Sequence, residues 1–84
     1  MRPVAITLHI QYFAILREQR GLREEKLSTN AATPAALYEE LRARHSFTLP
    51  VSRVRAAING EFTSSDAPLR DGDAVVFIPP VAGG

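Results

Sequence analysis

The group in this 84-residue chain best suited to chemistry is a backbone carboxylate, because the sequence closes on Val81-Ala82-Gly83-Gly84 behind Pro79-Pro80. Glycine makes up about 7% of average protein composition, so two closing glycines arise by chance in roughly one chain in two hundred. Without side chains, Gly83 and Gly84 let a backbone thread a narrow channel and present its carboxylate inside another protein's active site, where a bulkier residue would jam. Pro79 and Pro80 hold the root extended. At about 3.3–3.6 Å per residue, the segment from Val81 to Gly84 carries the carboxylate roughly 12–14 Å beyond that root.

The side chains offer less. His9 and His45 are the only imidazoles; one falls on the outward face of a strand and the other at a helix end, places that suit surface or capping roles better than catalysis. No serine or threonine has an evident base partner, no phosphate loop is present, and the acidic residues have no metal-ligand spacing. The chain has no cysteine, hence no thiol nucleophile, thiolate metal site or disulfide, and any sulfur it handles must be borrowed. The expectation is a protein that is not catalytic alone and binds no cofactor itself.

Ten basic and nine acidic residues are interspersed to a net charge of +1, which argues against a phosphate-tracking surface and so against nucleic acid as a partner. The N-terminal MRPVAITLHIQYF alternates apolar with polar residues, unlike the unbroken apolar core of a signal peptide. No segment has the length of a membrane span. A cytoplasmic protein without a membrane partner is expected. Lys26 is the single lysine, read here as compositional bias.

A terminal carboxylate needs a fold to aim it, and the patterning supplies one. Ile6, Leu8 and Ile10 alternate with Thr7, His9 and Gln11, the two-residue period of a strand with one buried face. Phe13 to Arg20 is rich in helix formers and stops at Gly21, a residue suited to a left-handed C-cap. A charged strand from Arg23 to Ser28 suits a sheet edge. Thr33-Pro34 reads as an N-cap with proline at the first helical position. Leu37 and Leu41, flanked by Ala36 and Tyr38, form the apolar stripe of that main helix, and Glu39, Glu40, Arg42 and Arg44 its solvent side. Val54, Ala56 and Ile58 alternate into Asn59-Gly60, a type I′ hairpin signal, and Glu61 to Thr63 return the chain. After a turn at Asp71-Gly72-Asp73, the apolar run Ala74 to Ile78 has the character of a central strand, which Pro79-Pro80 ends. The order predicts an α+β domain over residues 1–78, a mixed sheet of four to five strands on one main helix plus a short extra helix, with a flexible tail over 79–84.

Three apolar residues fall outside this core. Phe13 shares the parity of Thr7, His9 and Gln11, Phe62 directly follows the hairpin turn, and Ile78 has the opposite parity to Phe77, so only one of that last pair can lie deep in the core. Together Phe13, Phe62 and Ile78 suggest an apolar docking patch around the tail's root.

The run Phe13-Ala14-Ile15-Leu16-Arg17-Glu18 with Gly21, then Asn59-Gly60, Leu69, Asp71-Gly72-Asp73 and the closing Phe77-Ile78-Pro79-Pro80-Val81-Ala82-Gly83-Gly84, resembles the small subunits of molybdopterin synthase over nearly the whole chain. The resemblance implies a ubiquitin-like β-grasp fold. It further implies that Gly84 is adenylated by a ubiquitin-activating-like enzyme using ATP and Mg, and converted to a thiocarboxylate with sulfur from a donor enzyme. That thiocarboxylate would then deliver sulfur to a pterin precursor in molybdenum cofactor biosynthesis, the tail being inserted into the synthase large subunit in a four-chain complex. In that family Phe13, Phe62 and Ile78 match docking positions, and the catalytic side chains belong to the large subunit. A thiamine-pathway sulfur carrier, a protein-conjugating modifier and a plain interaction domain are the alternative readings.

Overall fold

The computed structural model describes residues 5–80; the Val81-Ala82-Gly83-Gly84 segment, on which the carboxylate chemistry falls, lies outside the described residues. In chain order the elements are β1 (Ile6–Tyr12), α1 (Ala14–Arg20), β2 (Glu24–Thr29), α2 (Pro34–His45), a single 3-10 turn (Val51–Arg53), β3 (Arg55–Ile58), β4 (Glu61–Thr63) and β5 (Ala74–Ile78). The five strands form one sheet in the order β2-β1-β5-β3-β4. β1 and β5 run parallel at its centre, and the other pairings are antiparallel. This is the mixed β-grasp sheet, with the charged β2 at one edge and the apolar β5 in the middle.

The local signals act as their chemistry requires. Gly21 caps α1 at φ +83°, its N–H donating to the Arg17 carbonyl at 2.9 Å. The Thr33 hydroxyl accepts from the Ala36 N–H at 3.2 Å behind Pro34. Asn59 and Gly60 both have positive φ, +52° and +88°, as a type I′ turn demands. Two features have no forerunner in the sequence pattern: α1 begins with Ala14 at φ +52°, and α2 ends on Ser46 at φ +57°. Neither residue is glycine, so the surrounding packing holds them in the left-handed region.

The core lies between the inner sheet face and α2. Leu8, Ile10, Tyr12, Val75 and Phe77 from the sheet meet Leu37, Tyr38 and Leu41 from α2 and Leu16 from α1, all buried. Ala36, placed with the apolar stripe by the sequence pattern, is exposed instead. Glu40, assigned to solvent, is half-buried and accepts the Thr29 hydroxyl at 2.7 Å. Both follow from the helical period: the buried face runs through Pro34, Leu37, Tyr38 and Leu41, so Glu40, three residues after Leu37, lies beside it, and Ala36, one residue before Leu37, turns away. A chain of aromatic contacts spans the core: Tyr12 meets Phe47 edge-on at 6.0 Å, Phe47 stacks on Tyr38 at 5.8 Å, and Tyr38 meets Phe77 edge-on at 5.4 Å. Such pairs add about 0.5–1.5 kcal/mol each beyond their area burial.

Two polar clamps fasten α1. Gln19 and Thr48 exchange hydrogen bonds at 3.0 and 3.2 Å. Arg20 grips Glu25 with both prongs, at 2.8 and 2.7 Å, while the Tyr12 hydroxyl donates to the same carboxylate at 2.6 Å. The Arg20 fork holds the Glu25 carboxyl below the ordinary value of 4.5. Burial and the carboxylate beside it push the Tyr12 phenol up. Burial, with Arg20 nearby, holds His45 below 6.5.

Glu25 and His45 are both depressed, so each contributes stability that is complete above its ordinary pKa and lost as pH falls through the folded value. The urea midpoint should therefore drop in two stages on acidification, beginning near 6.5 for His45 and below 4.5 for Glu25. Glu25→Gln should remove the lower stage. It should also cost about 1–3 kcal/mol at neutral pH, because it breaks charge-assisted hydrogen bonds. Thermal and urea unfolding of wild type and variant across that pH range check both.

Candidate functional site: an apolar half-face at the root of the tail

Residues directly opposite in neighbouring strands point to the same face, so the register assigns the outer surface of the sheet. One row crosses all five strands: Glu24, Gln11, Val76, Ala57 and Phe62. The next row toward the end of β5 holds Ile78 opposite Arg55. Phe13 continues the parity of β1, because its backbone stays extended at φ −125° and ψ 151°.

The row shows how this face divides. On β2 and β1 it is polar: His9 and Glu24 pair at 3.0 Å beside Lys26, Thr7 and Ser28. On β5, β3 and β4 it is largely apolar, with Val76, Ile78, Ala57 and Phe62. Phe62 is 60% exposed and Phe13 41%. Ala57, between Val76 and Phe62 in register, is only 7% exposed although it faces away from the core. The alternation of Val54, Ala56 and Ile58 gave no sign of this second buried face.

The sequence-predicted residues come together in part. Phe13, Ile78, Pro79 and Pro80 line one groove, joined by Ala14, Ile15 and Leu49. Pro79 is buried and Pro80 exposed, so the described chain leaves the fold within this groove. Phe62 does not line it. It stands two strands from β5, about 10 Å away at normal strand spacing, and is connected to Ile78 across Ala57 and Arg55. Phe77, not Ile78, is the member of that pair sunk in the core, at 1% exposure.

Three residues escaped sequence reasoning. Ile15 is 39% exposed on α1, which looked like an ordinary helix position. Leu49 is set by a long-range bond, its carbonyl accepting the Tyr38 hydroxyl at 2.8 Å. The Arg55 guanidinium lies over the Phe62 ring, 4.4 Å from its centroid, a cation–π contact worth about 0.5–1 kcal/mol at an exposed site. No group of three His, Cys, Asp or Glu side chains among the described residues could hold a metal ion, and no helix among them is long and apolar enough to cross a membrane. The described surface presents an apolar half-face whose large side chains, Phe13 and Phe62, are exposed to solvent.

Comparison with known proteins follows the same lines. The model of the ThiS family matches residues 10–84. The molybdopterin synthase sulfur carrier subunit of Escherichia coli K12 is 35% identical over 80 residues, covering 92% of this chain and 99% of that protein. Among solved structures, the putative molybdopterin converting factor subunit 1 of Pyrococcus furiosus superposes with a TM-score of 0.73 at 31% identity, covering 90% of this chain and 99% of that one. A chain from the complex of subunits 1 and 2 of the molybdopterin-converting factor of Helicobacter pylori 26695 gives 0.60 at 22% identity, covering 94% and 100%, which shows a shared fold.

Phe62→Asp should leave the domain folded at a cost of about 1 kcal/mol, since the ring is 60% exposed and the main loss is its contact with Arg55. Phe77→Ala, two strands away on the buried face, should cost about 3–5 kcal/mol. Thermal unfolding followed by circular dichroism separates the two, and a collapse of the Phe62→Asp protein would place that ring in the core.

Proposed function

The chain belongs to the ThiS family, and from its similarity to the molybdopterin synthase sulfur carrier subunit of Escherichia coli we infer that it is the sulfur-carrying small subunit of a molybdopterin synthase. The observation that carries this reading is the apolar half-face that ends at Pro79-Pro80. A partner seated there holds the root of the tail while Val81 to Gly84 extend into its active site. Docking thereby converts delivery of the carboxyl group into an effectively intramolecular step.

On this reading the reactive group is the carboxylate of Gly84. In a ubiquitin-activating-like adenylyltransferase, a carboxylate oxygen attacks the α-phosphorus of ATP, with Mg balancing the phosphate charge, and pyrophosphate departs. AMP is a far better leaving group than oxide, so sulfide-level sulfur brought by a donor enzyme attacks the acyl carbon, forms the C–S bond as the C–O bond to AMP breaks, and leaves a thiocarboxylate. That sulfur is nucleophilic without any cysteine in this chain. The synthase large subunit is the docking partner and supplies the catalytic side chains, and the pterin precursor accepts the sulfur. Gly83 and Gly84 suit the passage because they have no side chains to obstruct it.

Intact mass of the protein from its native host tests the chemistry directly. The expected result is one oxygen-to-sulfur exchange confined to the C-terminal peptide; linkage to lysines of other proteins that survives boiling and reductant would indicate a modifier instead. Deleting Gly84 should leave thermal unfolding unchanged, yet it retracts the carboxylate by roughly 3.5 Å. Because a 1 Å misplacement can cost about a hundredfold in rate, conversion of the pterin precursor with activating enzyme, ATP, sulfur source and large subunit should fall drastically. Normal conversion by the deleted protein would refute the carrier reading.

A further inference from the structure

The docking face contains one residue that an apolar interface does not explain. Arg55 is exposed on β3, in register opposite Ile78. Two residues on, Ala57 faces Phe62, so the Arg55 stem lies between two of the large apolar side chains of the face. Its guanidinium rests over the Phe62 ring, 4.4 Å from the centroid. A partner that covers Ile78 and Phe62 must therefore also cover this charge.

Arginine cannot escape burial by losing its proton, as a lysine can. A desolvated guanidinium left unpaired is strongly unfavourable, whereas one paired with a carboxylate in good geometry is not. The described residues supply no such group. Among the described residues the ion pairs of arginines are Arg20 with Glu25, Arg42 with Glu39 and Arg44 with Glu40, and no carboxylate lies within 4.0 Å of Arg55. No described residue neutralises this charge, and a partner covering the face can do so with a carboxylate of its own. Contact with Phe62 also restrains the guanidinium before any partner arrives, which lessens the ordering cost of a two-pronged pair.

We propose that Arg55 is a specificity contact of the docking face, and that the large subunit presents a carboxylate side chain to the Arg55 guanidinium where it lies on Phe62. Arg55 then discriminates among partners: an acidic residue at the matching point is accepted, and a basic or purely apolar surface is penalised by an unmatched buried charge. The inference rests on the reading that the large subunit covers this half-face.

The test is calorimetric titration of the full chain into the large subunit from the same organism, at low and at physiological salt. The proteins compared are wild type, Arg55→Met, Arg55→Lys and Phe62→Asp, each checked for folding by circular dichroism. Methionine keeps an apolar stem over Phe62 and removes only the charge. Truncating one side of a buried charge pair should raise Kd by about thirtyfold or more, and Arg55→Met should also lose much of the salt dependence of wild-type binding. Lysine, a point charge without the planar fork, should recover only part of the loss. If Arg55→Met binds as tightly as wild type or more tightly while Phe62→Asp abolishes binding, the docking face stands and the Arg55 contact is overturned. If wild type does not bind the large subunit, the functional reading falls first and the proposal with it.

Discussion

The parallel pairing of β1 with β5 is the constraint on which the rest of this domain depends. It joins residues from opposite ends of the chain, His9 with Ala74 through Tyr12 with Phe77, and a parallel pair cannot be made by a hairpin, so everything between must serve as the connection. The turn before β5 locks the register. Gly72 N–H donates to the Thr7 carbonyl at 2.7 Å, Thr7 N–H to the Asp71 carboxylate at 2.7 Å, and His9 N–H to the Asp73 carbonyl at 2.9 Å. Because the strands run the same way, their ends coincide: Phe13 leaves β1 beside the place where Ile78 and Pro79 leave β5. A tail root next to an exposed aromatic residue is thus a consequence of topology.

The same pairing makes the sheet two-sided. Its inner face is closed by α2 and the aromatic chain from Tyr12 through Phe47 and Tyr38 to Phe77. On the outer face, polarity changes at the junction of β1 and β5, with His9 and Glu24 on one side and Val76, Ala57 and Phe62 on the other. A charged outer surface suits the β2 edge, where it discourages unintended strand addition. The apolar half, in contrast, leaves large side chains in water unless a partner covers them. One sheet thereby combines a charged edge with an exposed apolar half-face.

Helix α1 joins these parts. Its single buried residue, Leu16, ties it to the core, while the Gln19–Thr48 exchange and the Arg20–Glu25 fork hold it at its far end. These contacts account for the left-handed Ala14, which turns the chain from an extended Phe13 directly into the helix. They also aim Phe13 and Ile15 at the groove, opposite Leu49. The polar network around Glu25 therefore shapes a surface that it does not itself line.

Much of the architecture was present in the sequence because its signals are local. Alternation in Ile6–Ile10, the Thr33-Pro34 start, the Gly21 stop, the Asn59-Gly60 hairpin and the Ala74–Ile78 run each act within a few residues, and side-chain parity placed Phe13 on the outward face, whereas it left open which of Phe77 and Ile78 is buried until the structure put Phe77 in the core. The closing glycines were equally plain, being a matter of residue type. What the tertiary structure decided was every relation between distant segments. Leu49 reaches the groove through a hydrogen bond from Tyr38, Glu40 turns to Thr29, and Ala57 is buried on the outer face because Phe62 and Val76 flank it. Arg55 is one of nine arginines in the sequence and nothing in its neighbours along the chain distinguishes it. Only the hairpin register and the arrival of β5 beside β3 set it between Ile78 and Phe62, since the geometry of a sheet surface belongs to the pairing of strands and not to any one of them.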